Sequence, residues 1–155
     1  MRFDQGRSAI FPALTQIHVG LGRHLWNHAV LTTGTVSLLA RFAGVRLDDR
    51  KGHVTFTATD ANGDGVSGAQ GAMVPMSGRT IYLSANGIPA RNGTETSSMG
   101  TGIFANVDPG TVAVTVTKAR HNCAPYPVAV NVNGAWQIPV VARLMSVVVF
   151  RCLPN

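Results

Sequence analysis

The stretch His53-Val54-Thr55-Phe56-Thr57-Ala58-Thr59-Asp60 decides the fold class. Val54, Phe56 and Ala58 alternate with Thr55, Thr57 and Thr59. A period of two puts the apolar set on one face of a half-buried β-strand and the threonines on the other. Downstream the pattern repeats. Thr111–Lys118 alternates Val112, Val114 and Val116 against Ala113, Thr115 and Thr117. Shorter strands are expected at Ala69–Val74, Thr80–Ala85 and Gly102–Asn106. Tyr126–Asn133 and Ala135–Ala142 flank Asn133-Gly134, the dipeptide that most favours a tight hairpin. Met145–Cys152 closes the series as an apolar strand. Asp60-Ala-Asn-Gly-Asp-Gly65 and Asp108-Pro109-Gly110 supply turns between them. Seven or eight short strands at this spacing predict an antiparallel, mainly β sandwich. Its expected core is Val54, Phe56, Ile81, Phe104, Val112, Val114, Val116, Val128, Val130, Ile138, Val147 and Val149.

Upstream of Gly52 the period changes. Leu14, Ile17, Leu21 and Leu25 recur at helical spacing, with Trp26 beside them and Gly20 and Gly22 as interruptions. A second helix is expected over Thr35–Ala43, with Val36, Leu38, Leu39, Phe42 and Val45 on its apolar face and Gly44 as its stop. It has no core of its own and is expected to dock on the sandwich or on sequence outside this chain. Arg46–Gly52 is a charged linker. The division is therefore a helical extension over residues 1–47, read as the end of a longer chain, and a sandwich over 52–152.

Composition narrows the function classes. At 45% hydrophobic and 13% charged residues, most of the chain is too apolar for disorder. The net charge is +6, but it is dispersed. Residues 1–51 carry seven basic and three acidic side chains, residues 52–155 six and four, and no basic run exceeds Arg50-Lys51. Without a motif, that spread argues against a nucleic-acid partner. Ser8–Gly22 is too short and polar to span a membrane, and Asp4 breaks the basic start that a signal peptide needs. No membrane span is expected.

Three stretches carry a family resemblance. The first is Val54-Thr-Phe-Thr-Ala-Thr-Asp-Ala-Asn-Gly-Asp-Gly-Val-Ser-Gly-Ala69, a strand, a turn and a small-residue strand. The second is Thr96-Ser-Ser-Met-Gly-Thr-Gly-Ile-Phe-Ala-Asn-Val-Asp-Pro-Gly110, and the third is the strand Thr111–Thr117 that follows it. Together they resemble the carboxypeptidase regulatory-like domain, over residues 52–118 by motif and 119–152 by strand pattern. In that family the first stretch reads D-x-x-G-x-P-V-x-G-A, with Pro common where Gly65 stands here. The resemblance implies a prealbumin-like (Ig-like) β-sandwich of secreted and surface proteins, an accessory or adhesive module sometimes described as carbohydrate-binding-like, without a catalytic centre.

Asp60, Asn62 and Asp64 match the first half of an EF-hand loop. Position twelve is Gly71 rather than a carboxylate, so the two readings are a hairpin turn and a weak calcium site. His24 and His28 are four apart but lack the Glu and third ligand of a metalloprotease helix. Two enzyme classes on related sandwiches fail as well. Tyr82, Tyr126 and His121 are not the two-Tyr, two-His set of intradiol dioxygenases, and the tail Phe150-Arg-Cys-Leu-Pro-Asn155 is not that of transthyretin-like hydrolases. Ser97 and Ser98 have no nucleophile motif around them. Trp26 and Trp136 are the candidate sugar platforms; Trp136 sits in an apolar strand and reads as core. Asn92-Gly-Thr94 is a formal glycosylation sequon.

Cys123 and Cys152 cannot make a zinc site alone. They are either two buried thiols or a disulfide, and the disulfide is the expectation, with Cys123 in a loop lying over the end of the terminal strand. A bridge places the protein outside the cytoplasm. The sequence thus predicts no catalytic residues, no cofactor, and a non-enzymatic interaction module with a protein or glycan partner at a cell surface. The alternatives are a carbohydrate-binding module and an enzyme completed by partner chains.

Overall fold

A computed structural model describes residues 13–14, 40–90, 92–126, 131–132 and 135–155. The strands are β1 (Ala13–Leu14), β2 (Gly52–Thr59), β3 (Gln70–Val74), β4 (Arg79–Tyr82), β5 (Thr101–Val107), β6 (Gly110–Thr117), β7 (His121–Pro125), β8 (Asn131–Val132), β9 (Ala135–Val140) and β10 (Met145–Pro154). They form two sheets. Sheet I runs β1-β10-β2-β5-β4, with β7 also paired to β10; sheet II runs β3-β6-β9-β8. The protein is a mainly β sandwich, as the alternation predicts.

The core lies between the inner faces. Val54, Phe56 and Ala58 of β2 meet Val112, Val114 and Val116 of β6, with Met73, Tyr82, Phe104, Val107, Trp136, Ile138 and Val140 filling in. Alternation was readable in β2 and β6 because each has one dry face and one wetter one. Asn131–Val132 pairs with Ala135–Trp136 across residues 133–134, the hairpin expected at Asn133-Gly134. Val128 and Val130 lie outside the described residues.

Four details depart from the sequence reading. First, sheet I is mixed. β10 pairs with β2 in parallel over Met145–Arg151, and β1 pairs with β10 in parallel. Strands β2 and β10 come from opposite ends of the sandwich, so the intervening chain is the crossover that a parallel pair requires. Second, the phase of β10 is shifted by one. Val148, Phe150 and Cys152 face the core, while Val147 and Val149 are half-buried on the opposite face. Three consecutive valines carry no alternation, so Phe150 and Cys152 set the phase. Third, Cys123 is in strand β7 rather than a loop, paired antiparallel with β10. Fourth, Ile81 is buried on the outer face of sheet I, and Tyr82 takes the inner position.

The linker ends of the extension dock as expected, with different residues. Ala40–Phe42 is helical. The Val45 N–H donates to the Ala40 carbonyl (2.8 Å) and the Gly44 N–H to the Arg41 carbonyl (2.9 Å). With Gly44 at φ 69°, this is a glycine-terminated helix end. The reversal carries Val45 back onto Ile81 and Ala105, beside Ala40, and leaves Phe42 60% exposed. Phe42 therefore does not belong to the docking face. Leu14 lies in β1 rather than in a helix. Ile17, Leu21, Leu25, Trp26 and residues 35–39 lie outside the described residues.

Candidate functional site

Among the described residues, two groups of polar contacts centre on the second resembling stretch, at Thr96 and Asn106. Thr96 ties one loop to another. Its hydroxyl donates to the Val66 carbonyl (2.6 Å) and accepts the Ala69 N–H (3.0 Å), while its backbone pairs with Gly68 and Ala69. Gly100, at φ 67°, accepts the Ala58 N–H, and a Cβ there would stand 2.1 Å from the Ala58 carbonyl oxygen. Only glycine fits a left-handed position with a strand backbone that close. Phe104 and Val107 are core.

Asn106 is the second centre. Between Gly52↔Val107 and Val54↔Phe104 the register shifts, so Ala105 and Asn106 stand opposite His53 alone. This is a β-bulge, with Asn106 at φ 58°. Its Oδ1 accepts the Asp48 N–H (2.9 Å) and its Nδ2 donates to the Arg46 carbonyl (2.8 Å). Its own N–H donates to Nδ1 of His53 (3.1 Å). Asn106 thus clamps the incoming linker onto sheet I. Lys51 and Asp108 pair beside it, and Arg50 holds the exposed Asp48 carboxyl below its ordinary value through hydrogen bonds.

Asn106→Ala should lose two side-chain hydrogen bonds, about 1 kcal/mol each, and pay a further 1–2 kcal/mol, roughly, for a left-handed alanine. Asn106→Gly loses only the bonds. Urea unfolding should rank wild type above glycine above alanine. Equal losses in the two variants would show that the backbone conformation contributes nothing.

His53 gives a pH dependence. It is 3% exposed, and burial pushes its pKa below the ordinary 6.5. Its Nδ1 accepts a hydrogen bond, so the folded ring is neutral; a protonated ring has no acceptor to offer. A depressed folded pKa means that the unfolded chain takes up the proton first. Stability from this group is complete above pH 6.5 and falls as the pH drops from there toward the folded value. Melting temperatures from pH 8 to pH 5 should fall more steeply for wild type than for His53→Asn. Identical slopes would exclude His53 as the source.

The sequence-flagged residues do not converge. Asp60 Oδ1 accepts the N–H groups of Asn62 (2.8 Å) and Asp64 (2.9 Å), and the Asp60 N–H donates to the Asp64 carbonyl (2.9 Å). This is a side-chain-supported turn, with Asn62 and Asp64 exposed. At the twelfth loop position Gly71 lies in β3 against the Phe56 ring. Among the described residues no three His, Cys, Asp or Glu side chains are grouped for a metal ion. His121 Nδ1 lies 2.8 Å from the Ala119 carbonyl oxygen. Ser97 Oγ accepts the Met99 N–H, and Asn92 is exposed in a turn. Trp136 packs in the core edge-on to Phe150, at 6.3 Å between ring centroids. His18, His24, His28 and Trp26 lie outside the described residues. Cys123 and Cys152 are bridged between β7 and β10. One contact had no sequence signal: the Arg151 guanidinium sits 3.7 Å over the Tyr126 ring.

No family model matches this chain, and no curated protein does. The carboxypeptidase regulatory-like likeness therefore remains a resemblance. Solved structures do align. The pilus 2b backbone protein of group B streptococcus is 15% identical with a TM-score of 0.43, covering 72% of this chain and 42% of its own. The minor pilin of Streptococcus agalactiae gives 14% and 0.43, covering 68% and 45%. The major pilin SpaD from Corynebacterium diphtheriae gives 19% and 0.38, covering 70% and 32%. The chain spans less than half the length of each. At these identities and scores, what those proteins do stays with them.

Proposed function

We propose that the chain is a non-enzymatic interaction module of an exported or surface protein, its sandwich spanning residues 52–152 and residues 1–47 forming an extension. One observation carries this reading. The polar side chains of the motif region are spent on backbone: Thr96 on Val66 and Ala69, Asn106 on Arg46 and Asp48, Asp60 on Asn62 and Asp64, and Ser84 on the Ile88 carbonyl. Such side chains hold loops in place and, among the described residues, leave no nucleophile or base aimed at a shared point. Conserving loop shape in this way suits a surface that presents loops to a partner.

A protein partner is favoured over a glycan. Sugar sites use exposed aromatic faces; among the described residues Trp136, Tyr82, Phe56, Phe104 and Phe150 are buried, the Tyr126 ring is covered by Arg151, and Phe42 is the one exposed ring, with no second aromatic to form a platform. The exposed apolar side chains at the loop end include Ile88 and Met99. The disulfide supports an oxidising, extracytoplasmic setting. Among the described residues no helix is long and apolar enough to cross a membrane, which says nothing of a β-barrel.

A glycan array run together with metal analysis of the purified, folded protein tests this. The expected result is no specific glycan and no stoichiometric metal. Saturable binding of one glycan class would make the chain a carbohydrate-binding module. Stoichiometric calcium that is lost in Asp60→Asn would instead establish the loop as a metal site.

A further inference from the structure

Asparagine followed by glycine is reactive as well as turn-forming. The glycine amide nitrogen attacks Cγ of the asparagine side chain. A C–N bond forms and closes a five-membered succinimide ring, and the side-chain nitrogen leaves as ammonia. Water then opens the ring to aspartate or isoaspartate. Glycine favours the attack because it has no Cβ to obstruct the approach. The chain contains four such pairs: Asn62-Gly63, Asn86-Gly87, Asn92-Gly93 and Asn133-Gly134. The first three lie among the described residues, each with its asparagine exposed.

Ring closure is intramolecular, so its rate depends on how easily the two atoms reach bonding geometry. The Asn–Gly peptide plane must rotate. That rotation opens the hydrogen bond made by the glycine N–H and moves the glycine Cα. Both costs differ among the three turns. Gly87 is held by hydrogen bonds. Its N–H donates to the Ser84 carbonyl at 2.9 Å, and Oδ1 of Asn86 accepts the Ser84 hydroxyl at 3.1 Å. A Cβ on Gly87 would also lie 3.6 Å from Met99 Sδ. Gly93 is held by packing. Its N–H donates to the Ala90 carbonyl at 3.2 Å, and a Cβ there would stand 2.9 Å from Ala90 Cβ and 3.1 Å from Cβ of the buried Tyr82. Gly63 has neither restraint. Its N–H donates to the Asp60 carbonyl at 3.3 Å, the longest of the three bonds, and nothing lies within 4 Å of a Cβ built on it. The Asn62 side-chain amide has no hydrogen-bond partner among the described residues. Asp60 Oδ1 anchors the Asn62 and Asp64 N–H groups, so the turn is held on both sides of this peptide while the space around it stays open.

We propose that Asn62 is a site of spontaneous succinimide formation in the folded protein, and the fastest to react of the three described Asn-Gly pairs. Conversion to aspartate adds a carboxylate to a turn that already carries Asp60 and Asp64, and lowers the net charge of +6 by one. Isoaspartate in addition inserts one methylene into the main chain of the turn. An exposed turn of the sandwich therefore changes in charge and shape as the molecule ages. This inference does not depend on the function proposed above.

Timed incubation of the folded, full-length chain in mildly alkaline buffer tests it, with peptide mapping that separates asparagine, aspartate and isoaspartate at each position. The same incubation in urea is the reference, because all three pairs are Asn-Gly and the unfolded chain removes their turns. When folded, residues 86 and 92 are expected to convert about fivefold or more slowly than residue 62, the factor for one net hydrogen bond or comparable contact broken before ring closure. In urea the three rates should draw together. Residue 86 or 92 converting as fast as residue 62 in the folded protein would overturn the proposal. Residue 62 staying intact in the folded protein would overturn it as well, whatever its rate in urea.

Discussion

Phe56→Ala should destabilise the domain by about 3–5 kcal/mol, the range for deleting a fully buried aromatic ring. Phe56 is completely buried, edge-on to Tyr82 at 6.0 Å between centroids and tilted on Phe104 at 5.3 Å. What distinguishes it is the pair of glycines around the ring. Its cross-strand partner on β5 is Gly102, and a Cβ there would stand 2.3 Å from Phe56 Cζ. Gly71 of β3, in the opposite sheet, would place a Cβ 2.5 Å from the same ring. The ring thus fills the space of two missing side chains and joins the sheets where they approach. Gly102→Ala is expected to cost about 1–3 kcal/mol through overpacking. The decisive comparison is the double variant Phe56→Leu/Gly102→Ala, in which the smaller side chain vacates the room that the new methyl needs. Its loss should be smaller than the sum of the two single losses, measured by urea unfolding. Strict additivity would mean that ring and glycine do not share that space.

The glycines were visible in the sequence, but their purpose was not. Gly71 first appears there as an absent calcium ligand; the structure makes it the floor under Phe56. The difference lies in range. Alternation is a local signal, and it was legible in β2 and β6 because each strand has one dry face. It failed in β10, where both faces carry valine because the outer face of sheet I is itself half-buried. It failed altogether in β7, whose sequence His-Asn-Cys-Ala-Pro has no β preference. That strand exists because β10 offers an edge and a cysteine at the matching register. The parallel pairing of β2 with β10 is likewise set by the whole sandwich rather than by any turn.

The same split runs through the candidate sites. The Asp60–Asp64 turn is local, and residue types alone predicted its geometry. The Asn106 clamp is not local. Its partners are 58 and 60 residues away, so the motif marked the position while the bonds needed the fold. Val45 rather than Phe42 docks the helix end for a related reason. The chain reverses at Gly44, and helical periodicity stops describing which side chain faces the sheet.

Loss of the Cys123–Cys152 bridge should be the other large effect, about 2–4 kcal/mol in Cys123→Ala/Cys152→Ala. The bridge closes a loop of 29 residues between directly opposed positions of β7 and β10, with Cα atoms 3.9 Å apart. Part of the loss is the chain entropy that the open form regains. Part is specific to β7. That strand buries only Pro125, and its side chains otherwise alternate between exposed and half-buried. Its attachment to β10 thus leans on five register pairs, the Arg151–Tyr126 contact and the bridge. Hydrogen exchange should therefore separate two levels of damage. In the double variant the amides of β7 should lose protection while those of β2 and β5 keep theirs, because these two strands share a dry core to which Cys152 contributes one small side chain and against which Cys123 only packs. Reductant added to the wild type should reproduce both the lower stability and the β7-selective exchange. Thiol titration of the unfolded, unreduced wild type should find no reactive group, and two after reduction. Two reactive thiols without reductant would remove the bridge and, with it, the argument for an oxidising compartment. A bridge that forms but whose removal exposes β2 as much as β7 would show that the core residue Cys152, which is 1% exposed, supports the whole sandwich and not β7 alone.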